Sequence, residues 1–185
     1  MLAAAGAGVA LTLFVQKLLK KPNILKQVDV PGVGLVDVKS EKSGSSIFVT
    51  LDWTKIFGKL PFKIPFCSAC ISPDGSIAIS GTIGLQPPTG EKELKAPAIV
   101  EGGPKAEAFR TMELIEACLK ACGAGVEHIT MVHIYQVNYN KETFAAMNAG
   151  YLEFWDGRPL PPRITVGCSA LALGSTVEID VLAKL

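Results

Sequence analysis

The chain has 185 residues, 49% of them apolar and 19% charged, with a formal net charge of +1 and a mean hydropathy of +0.34. That length suits one domain with an extension, and the apolar share excludes a disordered chain. The near-zero charge excludes a global electrostatic case for nucleic acid, so no nucleic-acid partner is expected.

Charge and hydropathy are uneven along the chain. Residues 1–63 hold nine lysines against four acids, a local +5 that leaves −4 on the rest. Met1 to Val15 carries no charge, and Lys17, Lys20 and Lys21 follow. With Leu18 and Leu19 the apolar run approaches the roughly 20 residues of a spanning helix. Apolar-then-basic order predicts a membrane contact through residues 1–21, with the rest of the chain on the cytoplasmic side. A docked apolar helix is the other reading. Residues 22–63 form a basic extension. Its valines, Val28 to Val38, surround Pro31-Gly32 as a short hairpin would. Ser46 to Trp53 is rich in β-formers and predicts a strand, whereas Lys55 to Lys63 is amphipathic without a clear period.

The pattern sharpens over residues 64–185. Ser72-Pro-Asp-Gly75 is a turn, and Ser76 to Thr82 a strand. Gln86-Pro-Pro-Thr-Gly90 is a second turn. Gly103-Pro104 opens a helix that Gly123 ends, with Glu107, Ala108, Met112, Ile115, Leu119 and Cys122 at helical spacing. Ile129–Val137 is a strand, and Glu142–Trp155 a second helix. Arg163–Leu171 and Thr176–Leu182 are closing strands. Two helices among several strands argue for an α+β layer with the helices on one sheet face. The other face then needs a cover. Ile77/Ile79, Val132/Ile134 and Ile179/Val181 are candidates for it, and an oligomer would supply the cover.

Five cysteines and two histidines supply a metal site poorly, and none is expected. Cys67-Ser-Ala-Cys70 has no second pair, while Cys118 and Cys122, four apart on a helix, read as core. No phosphate loop or nucleophile elbow is present. His133 lies mid-strand among apolar residues. The informative pair is Arg163 and Glu178. Only three arginines exist, so a planar clamp for a carboxylate is available at few places, and Arg163 follows the stiff Leu160-Pro-Pro162. Glu178 opens the last strand and could activate water. If the last two strands form a hairpin, residues near its open end could converge with a neighbour's edge. A surface salt bridge is the plainer reading.

Several motifs in order then give a resemblance. Ile64-Pro-Phe-Cys-Ser-Ala69, Ile79-Ser-Gly-Thr-Ile-Gly-Leu85 with Thr89-Gly90, Phe144-Ala-Ala-Met-Asn-Ala-Gly-Tyr-Leu-Glu-Phe154, Leu160-Pro-Pro-Arg-Ile-Thr-Val166 and Val177-Glu-Ile-Asp-Val181 resemble the reactive-intermediate deaminase family (RidA/YjgF). The resemblance implies a chorismate-mutase-like α+β fold, a homotrimer with inter-subunit clefts, no cofactor, and hydrolysis of 2-imino or 2-enamino acids to 2-keto acids and ammonia. It assigns Arg163 to the substrate carboxylate and Glu178 to the attacking water. Phe66, Ser80, Gly81, Asn148 and Thr165 would shape the pocket. Phe66 stands where the family usually has Tyr, Thr165 where Cys is frequent, and Thr82 and Gly84 where it has Gln and Pro. A non-catalytic trimer that binds small carboxylates and is tethered to a membrane is the alternative. Ala183-Lys184-Leu185 resembles a peroxisomal address and gives the alternative localisation.

Overall fold

The computed structural model describes residues 22–58, 63–87 and 97–185. One eight-stranded mixed sheet carries two long helices on one face. Strand β1 (Gln27–Val30) turns at Pro31-Gly32 into β2 (Gly34–Ser43), with Val28 opposite Val36, and β2 turns into β3 (Ser46–Leu51). The predicted hairpin therefore exists, because Val28, Val30 and Val36 alternate inward and are buried. A short helix α1 (Trp53–Phe57) follows, its first turn held by the Asp52 carboxylate, which accepts from Thr54 N at 3.1 Å. The Ser72–Gly75 turn joins β4 (Ala69–Ile71) to β5 (Ser76–Ile83).

Helix α2 (Gly103–Ala121) begins with Pro104 in its first turn and leads to β6 (Ile129–Val137). Helix α3 (Lys141–Trp155) is capped by Asn140, whose Oδ1 accepts from Thr143 N at 2.9 Å while Thr143 Oγ1 accepts from Asn140 N at 3.1 Å. Strands β7 (Arg163–Cys168) and β8 (Val177–Lys184) complete the sheet, in the order β1-β2-β3-β4-β5-β8-β6-β7. All neighbours are antiparallel except β6 and β7.

Two expectations are corrected here. Strands β7 and β8 do not form a hairpin, since β6 lies between them and the β6–α3–β7 crossover makes β7 a parallel edge strand. The six residues offered for the uncovered sheet face are all buried under the helices. The period of two was read correctly, but the fully apolar parity belongs to the helix side. The opposite face carries His133, Tyr135, Glu178 and Asp180 beside the exposed Ile164, Val166 and Leu182. There His133 Nδ1 lies 2.6 Å from Asp180 Oδ1 across the β6–β8 pair.

The membrane contact and membrane-anchored localisation are also withdrawn. Among the described residues no helix is long and apolar enough to cross a membrane, and residues 1–21 lie outside the described residues. The Thr89-Gly90 motif lies outside them as well. The C-terminal Ala183-Lys184-Leu185 is built into the sheet. Ala183 is buried opposite Ile77, and Leu185 N donates to the Gly75 carbonyl at 3.0 Å.

The extension shares the core with the rest. Arg110, buried in α2, donates from Nε to the Leu85 carbonyl at 3.0 Å and from Nη1 to the Pro31 carbonyl at 2.7 Å. It thereby ties the β1–β2 turn to α2. The helices meet at Gly150, where a Cβ would stand 1.9 Å from the Lys105 carbonyl oxygen. Gly150→Ala must push the two backbones apart, and a loss of about 2–3 kcal/mol is expected. Urea unfolding measures it, and an unchanged midpoint would mean the crossing opens without resistance.

Candidate active site

The seven candidate residues fall into two groups. The first surrounds a β-bulge. Strand β5 pairs Ile79 with Val181 and Thr82 with Ile179, so Ser80 and Gly81 together face only Asp180. The extra residue re-aims the strand, as bulges beside functional sites do. It also brings Gly81 under the Glu178 carboxylate, where a Cβ would lie 2.1 Å from Oε1. Any larger residue would have to push the Glu178 side chain aside. Ser80 Oγ donates to the Cys67 carbonyl at 2.7 Å, which pins the bulge to the segment carrying Phe66. Phe66, Gly81 and Glu178 line one cavity of about 270 Å³.

Glu178 is held there from behind. The buried Glu107 carboxylate of α2 accepts from Ser175 Oγ, Thr176 N and Thr176 Oγ1, each at 2.7 Å, and from Val177 N at 3.1 Å. These bonds fix the backbone immediately before Glu178. Sequence reading counted Glu107 only as a position on the helix. A charged residue amid the buried periodicity was the available signal.

Burial, reinforced by the charge of Asp180, raises the Glu178 carboxyl above its ordinary value of 4.5. No hydrogen-bond donor among the described residues reaches this carboxylate. A base acts in its ionised form, so activity depending on Glu178 is expected to rise with pH along an acid limb centred above 4.5. Asp180→Asn removes one cause of the shift and should move that limb down. A kcat/KM profile with its limb at or below 4.5 would exclude Glu178 as the titrating base. The linked stability has the same origin. The raised folded-state pKa favours the fold below the unfolded pKa, and that contribution is lost as pH rises through the folded one.

The second group lies on the helix face of the sheet. Arg163 and Thr165 pair with the buried Val132 and Ile134, so they point toward α3. The Arg163 guanidinium carbon lies 4.9 Å from the Tyr151 ring centroid and 6.0 Å from that of Phe144. Asn148 falls between these aromatics at helical spacing i, i+4, i+7 and is half-buried. Buried polar atoms here have no partner among the described residues: Thr165 Oγ1, Tyr151 Oη and both amide atoms of Gln136. Such groups mark a place where water or a ligand is owed.

Arg163 and Glu178 thus point to opposite faces of one sheet. The arrangement comprises a half-buried carboxylate at an apolar cavity and, separately, a guanidinium among unpartnered polar groups. Each group has the chemistry that a small-molecule acid–base site draws on. The comparisons give the family. The family model described as Endoribonuclease L-PSP matches residues 62–185. A RutC family protein of Aquifex aeolicus is 32% identical over 126 residues, covering 68% of this chain and 93% of its own. A 2-iminobutanoate/2-iminopropanoate deaminase of Mus musculus is 30% identical over 125 residues, covering 68% of this chain and 85% of its own. The crystal structure of RidA from an Antarctic Psychrobacter is 25% identical with a TM-score of 0.55, over 69% of this chain and 94% of that one. The chain belongs to the RidA/YjgF family.

Proposed function

We propose that this chain hydrolyses reactive 2-imino and 2-enamino acids to 2-keto acids and ammonia. The observation that carries the reading is the half-buried Glu178 carboxylate, seated on the Gly81 bulge at the cavity mouth with its pKa raised. The resemblance to the mouse 2-iminobutanoate/2-iminopropanoate deaminase supports it. In the proposed step Glu178 takes a proton from water as the water oxygen bonds to the imine carbon. The proton passes to nitrogen and gives a carbinolamine; its hydroxyl proton then moves through Glu178 to the same nitrogen, the C–N bond breaks, and ammonia leaves as the carbonyl forms. An enamine first takes a proton at carbon and becomes the imine. Water is the only co-reactant, so neither electrons nor a cofactor are required.

Arg163 holds the substrate carboxylate through two parallel N–H donors, and Asn148 and Thr165 flank it. Phe66, Ser80 and Gly81 shape the opposite wall. Because the two groups point to opposite faces, one chain does not join them, and the reading takes a homotrimer with sites in the clefts between subunits. The exposed Ile164, Val166 and Leu182 on the uncovered sheet face favour such an assembly. In this reading residues 64–185 carry the reaction, while residues 22–63 buttress them.

The test uses the purified full chain, with imines released in situ by a pyridoxal-phosphate-dependent serine or threonine dehydratase. Keto acid should form faster than in buffer alone. Rates equal to the buffer blank would sink the reading.

A further inference from the structure

The cavity beside Glu178 is lined by Trp53, Phe57, Ile64, Phe66, Leu114 and Leu173. Its wall is almost wholly apolar. Thr82 also lines it, but the Thr82 hydroxyl is engaged, donating to the Ser80 carbonyl at 2.9 Å. The indole N–H of Trp53 is buried without an acceptor among the described residues. Among the described residues Glu178 is therefore the only charged side chain in the wall, and it stands beside Gly81 at the bulge.

Size and chemistry together restrict what enters. An apolar cavity of about 150 Å³ is enough to admit benzene, and this one measures about 270 Å³. A methyl or ethyl group would leave most of it empty and forfeit the contacts of its lining. A polar or charged side chain would give up its hydration with little among the described residues, beyond the Trp53 N–H and Glu178, to replace it. Two of the walls, Trp53 and Phe57, belong to α1. Their rings stack at 5.3 Å between centroids, and they precede the stretch matched by the family model. The apolar wall is thus built partly by the extension of this chain.

We infer that the cavity receives the substrate side chain and selects 2-imino acids whose side chains are aromatic or branched aliphatic. The inference rests on the deaminase reading and adds the substrate class to it. The imine carbon then stands at the cavity mouth beside Glu178, and its carboxylate points out toward an Arg163 clamp. Each buried methylene is worth about fourfold in binding. Benzyl or isobutyl side chains should therefore exceed ethyl by at least about tenfold in kcat/KM.

An L-amino-acid oxidase generates the imines of Phe, Leu, Ala and 2-aminobutyrate in situ, and keto-acid release above the blank is followed with the full chain. The imines of Phe and Leu are expected to lead by at least about tenfold. Trp53→Ala should lower the Phe-to-Ala ratio. Leu173→Trp, at an exposed position that threatens no core, should lower it by filling the cavity. Equal rates across the series, or ratios unmoved by both variants, would overturn the substrate class while leaving the deaminase reading intact. A second arm measures phenylpyruvate and pyruvate binding by calorimetry. If no imine is turned over, the deaminase reading fails. Tenfold tighter phenylpyruvate, weakened by Leu173→Trp, would still support the apolar pocket, and equal binding would overturn it.

Discussion

Glu178→Gln is expected to lower kcat by about 10²- to 10⁴-fold, the range for losing a general base. The substitution is close to isosteric. The carboxylate accepts no hydrogen bond from the described residues, so the amide breaks none, and Gly81 leaves the same space beneath it. The change therefore isolates the charge and proton-accepting capacity of the group from the architecture around it. Substrate binding should persist, so KM should move far less than kcat. Steady-state kinetics with an imine substrate, together with a thermal melt of the variant, measure both. A variant with normal kcat would remove Glu178 from the chemistry and leave it as a surface acid on the open sheet face.

The second large effect is at Arg163. Arg163→Ala should lower kcat/KM by about 10²- to 10³-fold, through the loss of a two-pronged, charge-assisted hold on the substrate carboxylate. Lysine restores charge without the fork, so Arg163→Lys should recover only part of it. The stacking of Arg163 on Tyr151 and Phe144 makes some of any loss structural, and a melt separates the two. The pair also tests the assembly. Suppose each site takes Glu178 from one subunit and Arg163 from its neighbour. Mixing the two inactive variants through a denature–refold step should then regenerate wild-type sites. With random equal assembly, roughly a quarter of sites carry both intact residues. No recovery from well-folded mixtures would place both residues of a site on one subunit, contrary to the proposed cleft.

The contrast between what the sequence revealed and what it concealed has a physical pattern. Elements defined by their own residues were legible. The Pro104 helix start, the helix over Glu142–Trp155 and the Ile129–Val137 strand depend on spacing and local chemistry alone. So did the burial of Cys118 and Cys122; desolvation raises the Cys122 thiol to about 12, as expected of inert core. The order of strands in the sheet was not legible. Nothing in Arg163–Cys168 or Val177–Lys184 states whether they pair with each other or with strands about 30 to 100 residues earlier. Which parity faced the helices was likewise hidden, because that depends on where α2 and α3 settle.

The same division runs through the candidate site. Motif resemblance found Arg163, Glu178, Phe66, Ser80, Gly81, Asn148 and Thr165, but not that they sort onto two faces. It missed Glu107, whose role arises from a loop 68 to 70 residues away. It missed Trp53 and Phe57, because a five-residue helix carries too little periodicity to be recognised.

The strand order also bears on how the sheet can be assembled during synthesis. Strand β8 is the eighth of the strands to be made, yet it fills the gap between β5 and β6 and bonds to both. Without it, strands β1 to β5 and strands β6 and β7 have no hydrogen-bonded ladder between them, and β5 and β6 each keep an unpaired edge. Helix α2 is available to shelter their apolar surfaces, but the flanks of β5 and β6 wait unpaired. The central hydrogen-bond ladders and the Glu107 anchor both wait on the stretch from Ser175 to Lys184. Unpaired strand edges of that kind are where a chain under synthesis is exposed to self-association.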